Sequence, residues 1–168
     1  MMDQTDEEKR PPAWRVAMLY LQWPMFLACP LMVVYLPGGP GGWMSAIGTY
    51  VATAMALALL IIAVASTSAT ADSRPQRMFV DTAVSLGLYY LALTAACLLR
   101  SDTDDQADYP SIIESWFGQP AGTYHTASAV LLVIACFLLV GALISSIGDR
   151  RWAAREPEDD LDEAENPL

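Results

Sequence analysis

Four apolar runs, each about 20 residues long, decide what this chain can become. They cover residues 16–36, 43–65, 78–99 and 126–147, and about 20 helical residues cross the roughly 30 Å hydrocarbon core of a bilayer. Lipid offers the backbone no hydrogen-bond partner, so a run of this kind crosses it as a helix. Of the 168 residues, 54% are hydrophobic and 17% charged, where a soluble domain carries about a quarter charged. The charges fall between and beyond the runs. The chain therefore reads as an all-α membrane protein, with four transmembrane helices in an antiparallel bundle (15–148). A short arm (1–14) precedes the bundle and an acidic tail (149–168), disordered by composition, follows it.

Orientation follows from the basic residues. Lys9, Arg10 and Arg15 precede the first run, Arg74 and Arg77 lie between the second and third, and Arg150, Arg151 and Arg155 follow the fourth; only Arg100 falls on the other side. The positive-inside rule puts both termini in the cytoplasm of a plasma membrane, or of an inner membrane in a Gram-negative cell. The acidic start, with Asp3, Asp6, Glu7 and Glu8, is a poor signal-peptide n-region, so the first run reads as a retained anchor.

The connections differ in kind. The segment 37–42, Pro-Gly-Gly-Pro-Gly-Gly, is a short turn without the Lys-Ser/Thr of a phosphate loop. Ser73-Arg74-Pro75-Gln76 has the pattern of a helix start, with Ser73 as N-cap, and predicts a third helix beginning before its apolar part. The longest connection, 100–125, opens with Asp102, Asp104, Asp105 and Asp108, which fail the calcium-loop pattern because the Gly and the final Glu are absent. Further along, Ile112, Ile113, Trp116 and Phe117 fall at the spacing of one helix face, predicting a short interfacial helix on the outer surface or a docking patch there.

Within the membrane the polar residues are few. Asp81 is the only formal charge inside an apolar run, and an ionisable residue in a span is a functional-site hypothesis by default. Arg77 is its expected partner, one turn back, with Arg74 as a second possibility. Asp81, Ser85, Tyr89, Ala92 and Ala96 form a stripe expected to face the bundle interior, with Phe79, Leu86 and Leu93 around the remainder. Gln22 adds a polar group to the first run, where Pro24 and Pro30 each remove a helix hydrogen bond and predict a kink. Gly48, Ala52 and Ala56 in the second run, and Ser128, Ala135 and Ala142 in the fourth, are small-residue rows suited to close helix packing.

Known chemistries find little purchase. A net charge of −10 opposes nucleic-acid binding. Cys29, Cys97 and Cys136 form no paired motif, His125 is the single histidine, and neither a metal site, a haem site nor a nucleophile–base set can be assembled. No cofactor is expected. The expected function is that of a non-catalytic integral membrane subunit or interaction protein in a larger transport or energy-transducing complex. The alternative is a small homo-oligomeric channel or transporter, in which Asp81, Gln22, Tyr89 and Tyr90 line the path. The partners are the bilayer and either other membrane subunits or further copies of the chain.

Overall fold

The structure, a computed structural model, describes residues 13–36, 43–71, 78–103 and 108–153. Its helices are α1 (Ala13–Tyr35), α2 (Trp43–Ala69), α3 (Val80–Leu99), α4 (Ile112–Phe117) and α5 (His125–Ala153). Four of them, α1, α2, α3 and α5, are long and apolar enough to cross a membrane. Between α3 and α4 lies a small antiparallel hairpin, β1 (Asp102–Thr103) and β2 (Asp108–Tyr109), in which Asp102 pairs with Tyr109 and Thr103 with Asp108. The Pro-Gly turn at 37–42, the cap at Ser73, Arg74, Arg77, the acidic residues at 104 and 105, the N-terminal arm through residue 12 and the tail from 154 onward lie outside the described residues.

α3 and α5 share the broadest interface; α1 packs on α2, α2 on α5, and α1 more lightly on α3. The core joins Leu19, Cys29 and Val33 of α1, Leu59 and Ile62 of α2, Leu86, Tyr89 and Leu93 of α3, and only small residues of α5, Ala135 and Ala142. Lipid tails are as apolar as leucine, so burying these side chains against one another gains little from the hydrophobic effect in a membrane. Close packing and interhelical hydrogen bonds must decide the arrangement. Four such bonds stand out: Arg15 Nε donates to the Met78 carbonyl at 2.7 Å, Gln22 Nε2 to Thr67 Oγ1 at 3.4 Å, Thr82 Oγ1 to Asp149 Oδ2 at 2.6 Å and Ser128 Oγ to the Ala96 carbonyl at 2.9 Å. They tie the start of α1 to the start of α3, the first half of α1 to the end of α2, and both ends of α3 to α5.

One expectation needs correction. The third helix does not extend back to Ser73: Met78 and Phe79 are non-helical, and Phe79, at φ −61 and ψ 148, is the N-cap without a side-chain cap bond. Met78 is held out of the helix because its side chain is buried and its carbonyl accepts from Arg15. The second helix continues beyond its apolar run, to Ala69. There Ser68 and Thr70 return their hydroxyls to the Ala65 and Ser66 carbonyls, so the small polar residues bond along the helix axis. α1 is one helical element with Pro24 and Pro30 inside it.

Candidate functional site

Polar groups gather in several parts of the molecule. At the level of Met78, the first turn of α3 meets the last turn of α5. Thr82 is fully buried and donates to Asp149, a hydrogen bond to a charged group of the kind worth about 1.5–3 kcal/mol net. The Phe79 and Trp152 rings meet edge-on at 5.9 Å beside it, and the Asp81 carboxylate is near enough to act electrostatically on Asp149. Asp81 itself is exposed in the first turn of α3, where the helix dipole favours a carboxylate.

This relocates the site drawn from the sequence. Asp81 does not face the bundle interior, and its stripe is rotated by about one position. The buried line on α3 is Thr82, Leu86, Tyr89, Leu93 and Ala96, whereas Ser85 and Ala92 are only half-buried. Leu86 and Leu93, expected on the outer faces, are core residues. A charged group near a helix end reaches water at little cost, while the aliphatic residues supply the packing surface. The expected partner, Arg77, lies outside the described residues.

Further polar groups are Gln22 of α1, which meets Thr67 beside Ser66 near the end of α2, and Tyr89 and Tyr90 along α3. Gln22 is 2% exposed; its bond to Thr67 is long at 3.4 Å, and its Oε1 has no partner among the described residues. The Ser66, Tyr89 and Tyr90 hydroxyls are likewise buried without a partner. The two tyrosine rings lie 5.5 Å apart and tilted, with the buried Cys29 thiol beside both. Native interiors satisfy most buried polar atoms, so such a group marks a place where polar contacts are still to be made.

Another cluster is built around Glu114, a residue the sequence reading passed over. Its side chain is 0% exposed. Oε2 accepts from the Ser111 N–H at 2.7 Å and Oε1 from the Tyr124 N–H at 3.1 Å, while Ser111 Oγ accepts from the Glu114 N–H at 3.1 Å. This is a capping box with an added strut to Tyr124, immediately before α5. Burial pushes the Glu114 carboxyl up, but the N–H groups of Ser111 and Tyr124, the Ser111 hydroxyl and the Thr123 N–H outweigh it and hold the group below the usual carboxylate range. Gly118 closes α4 at φ 63, a left-handed conformation suited to glycine. The short helix thus holds Trp116 and Phe117 outward, 74% and 69% exposed, while Ile112 and Ile113 are half-buried. The four residues do not share one exposed face, because Glu114 draws its side of the helix inward. The Ser-x-x-Glu spacing at 111–114 was the available sequence signal.

The packing residues are placed as follows. A Cβ on Gly48 would lie 3.4 Å from the Val33 carbonyl oxygen, so α1 and α2 come close there; Ala52 is buried and Ala56 half-buried. Ser128, Ala135 and Ala142 are all buried on α5. Cys29 and Cys97 are buried and Cys136 exposed, and all three are free thiols. His125 opens α5, exposed. An open groove of about 380 Å³ between α1 and α3, lined by Trp14, Met18, Val84, Gly87 and Leu91 among others, is almost wholly apolar and brings no chemical group together. Comparison with known protein families, with curated proteins and with solved structures finds no match for this chain.

Proposed function

We propose that the protein is a non-catalytic, multi-pass subunit or interaction protein of a larger membrane assembly, of the transport or energy-transducing kind. In this reading α1, α2, α3 and α5 form an antiparallel transmembrane bundle in the plasma membrane, both termini are cytoplasmic, and α4 rests on the outer surface. The observation that carries it is the α4 tip. Trp116 and Phe117 stand exposed on a six-residue helix fixed by the buried Glu114 cap. Aromatic residues are enriched at protein interfaces, and a pre-organised pair spares a partner the cost of ordering it. Trp is also favoured at the headgroup level of a bilayer, where this tip would sit.

The test is purification of the full chain in mild detergent, with partners identified and confirmed by the reciprocal pull-down. A subunit brings unrelated polypeptides in fixed stoichiometry, and W116A/F117A releases them while the chain itself stays folded. A protein that purifies alone as a symmetric oligomer refutes the reading.

That second outcome belongs to the alternative, a small homo-oligomeric channel or transporter. The unpartnered buried oxygens of Gln22, Ser66, Tyr89 and Tyr90 favour it, since they would line a polar path. Ion flux in liposomes separates the two. Flux that is abolished by Asp81→Asn in a folded protein would establish a working carboxylate and overturn the subunit reading, under which D81N is silent. The orientation has its own check. Gln119→Cys should react with an impermeant thiol reagent in intact cells, and Arg151→Cys only after lysis; the reverse pattern sinks it.

A further inference from the structure

The end of α3 carries a charge that no described side chain neutralises. Arg100 immediately follows the helix and is 8% exposed. Its backbone N–H returns to the Cys97 carbonyl at 3.4 Å, but its Nε is buried without a partner among the described residues. A guanidinium stays charged at any physiological pH, and a buried ion needs a counter-charge to offset its lost hydration. The carbonyl end of α3 supplies a fraction of that through the helix dipole. The described carboxylates near this end do not supply the rest. Glu114 is buried in its own cap, with both oxygens taken by the N–H groups of Ser111 and Tyr124, and Asp108 is exposed.

We propose that Arg100 is the pole of a phosphate-binding site at the end of α3. The guanidinium fork matches a phosphate group in shape and charge and binds it through paired N–H donors. The position favours the same ligand, because Arg100 terminates a 20-residue apolar helix, whose end falls where a bilayer places its phosphates. α4, with its exposed Trp116 and Phe117, packs against the same helix, and aromatic rings prefer that depth. The phosphate can come from a lipid headgroup or from free phosphate. The inference rests on the helices spanning a membrane and holds for either function proposed above.

The full chain, purified in a neutral detergent, is given phosphatidylglycerol, inorganic phosphate or diacylglycerol, which lacks the phosphate. Thermal stability and ligand retained in native mass spectrometry are read. Phosphatidylglycerol should stabilise the wild type and stay bound while diacylglycerol does neither. R100Q should weaken that binding at least tenfold, equivalent to about 1.4 kcal/mol, whereas R151Q, altering an exposed arginine at the far end of α5, leaves it intact. An Arg100-dependent shift with inorganic phosphate alone assigns the site to the free anion and upholds the phosphate chemistry. Should R100Q fail to fold, R100K, which keeps the charge and loses the fork, must fold and bind phosphatidylglycerol more weakly than wild type. Equal binding by wild type and R100Q or R100K overturns the proposal. So does an equal, non-additive loss of stability in R100Q and D104N/D105N, which would place the counter-charge inside the acidic loop.

Discussion

Replacing Glu114 with alanine isolates what the buried cap does. The substitution removes two acceptor oxygens at once. The Ser111 N–H, in a fully buried bond of 2.7 Å, loses its partner with no water to replace it, which costs about 1–3 kcal/mol. The Tyr124 N–H, in a partly buried bond of 3.1 Å, loses a net contribution of about 0.5–1.5 kcal/mol. The sum is about 1.5–4.5 kcal/mol, and it falls on a helix of six residues, far too short to persist by itself. Segment 111–124 should therefore open locally while the long helices stay packed. Hydrogen exchange resolved by peptide should show protection at Ser111 and Tyr124 falling by at least about tenfold, taking tenfold per 1.4 kcal/mol, with little change in peptides from α3 and α5. Glu114→Gln keeps one acceptor but turns an N–H donor toward a backbone donor, so it should fall on the same side as alanine. Unchanged protection in E114A would refute the claim that this carboxylate organises the segment.

The same residue gives a pH dependence whose sign separates two physical effects. A carboxyl held below its ordinary value contributes stability that is fully present above the unfolded value, about 4.3 for glutamate, and is lost as the pH falls through the lower, folded value. Protection of 111–124, corrected for intrinsic exchange, should be flat from pH 7 to 5 and decline only below about 4.3. Loss between pH 7 and 5 would mean that desolvation outweighs the N–H donors, contrary to the balance described for Glu114.

Further expectations concern the helix contacts. Thr82→Val removes the 2.6 Å bond to Asp149 and should cost about 1.5–3 kcal/mol; combined with Asp149→Asn in a double-mutant cycle of thermal denaturation in detergent, the coupling should exceed about 0.5 kcal/mol, and strict additivity would show that the pair does not interact. Gly48→Ala, whose Cβ meets the Val33 carbonyl oxygen at ordinary contact distance, 3.4 Å, should be neutral or slightly stabilising, because alanine improves helix propensity by about 0.5–1 kcal/mol. Gly48→Leu should instead cost about 1–3 kcal/mol through overpacking, and equal stability of the two variants would mean that α1 and α2 do not approach as described. Gly118→Ala meets no atom within 4 Å but must hold φ at +63, so it should destabilise α4 by about 1–2 kcal/mol, read as faster exchange of the Gln119 amide, which bonds to the Glu114 carbonyl at 2.9 Å.

How much of this was legible in the sequence depends on what lipid leaves visible. The four spans were, since length and apolarity alone identify them, and the structured ends of α1, α3 and α5 lie close to the runs read from composition. Their facing was not. In water an amphipathic stripe marks the inner side of a helix, but α3 is apolar nearly all round, which leaves its few polar residues as the visible markers of an inward face. Asp81 was the strongest of them and misled, because a carboxylate in the first turn of a helix reaches water. Thr82, the next residue, is the one that turns in and meets Asp149. The Glu114 cradle was hidden differently. Its Ser-x-x-Glu pattern lay in plain view at 111–114, but the aromatic residues around it drew the reading toward a membrane-facing surface.

These failures share a physical cause that also points to what specifies the fold. When solvent and core are equally apolar, moving leucines from one face of a helix to another changes the free energy little, so apolar patterning cannot select one helix rotation over its neighbour. The selection falls to contacts that work at one register only. In this protein those are the Arg15 bond to the Met78 carbonyl, Gln22 to Thr67, Thr82 to Asp149 and Ser128 to the Ala96 carbonyl, together with the close approach at Gly48. A rotation of α3 by one residue would place Asp81 where Thr82 now stands, against the Asp149 carboxylate, replacing a hydrogen bond with the repulsion of two like charges. The Thr82–Asp149 pair therefore rejects the alternative as well as stabilising the arrangement observed. T82D should accordingly be far more damaging than T82V, and lowering the pH should relieve T82D while leaving T82V unchanged. Thermal stability measured at pH 7 and at about pH 4, near the ordinary aspartate value, tests this; a T82D variant as stable as T82V at neutral pH would show that another contact sets the rotation of α3.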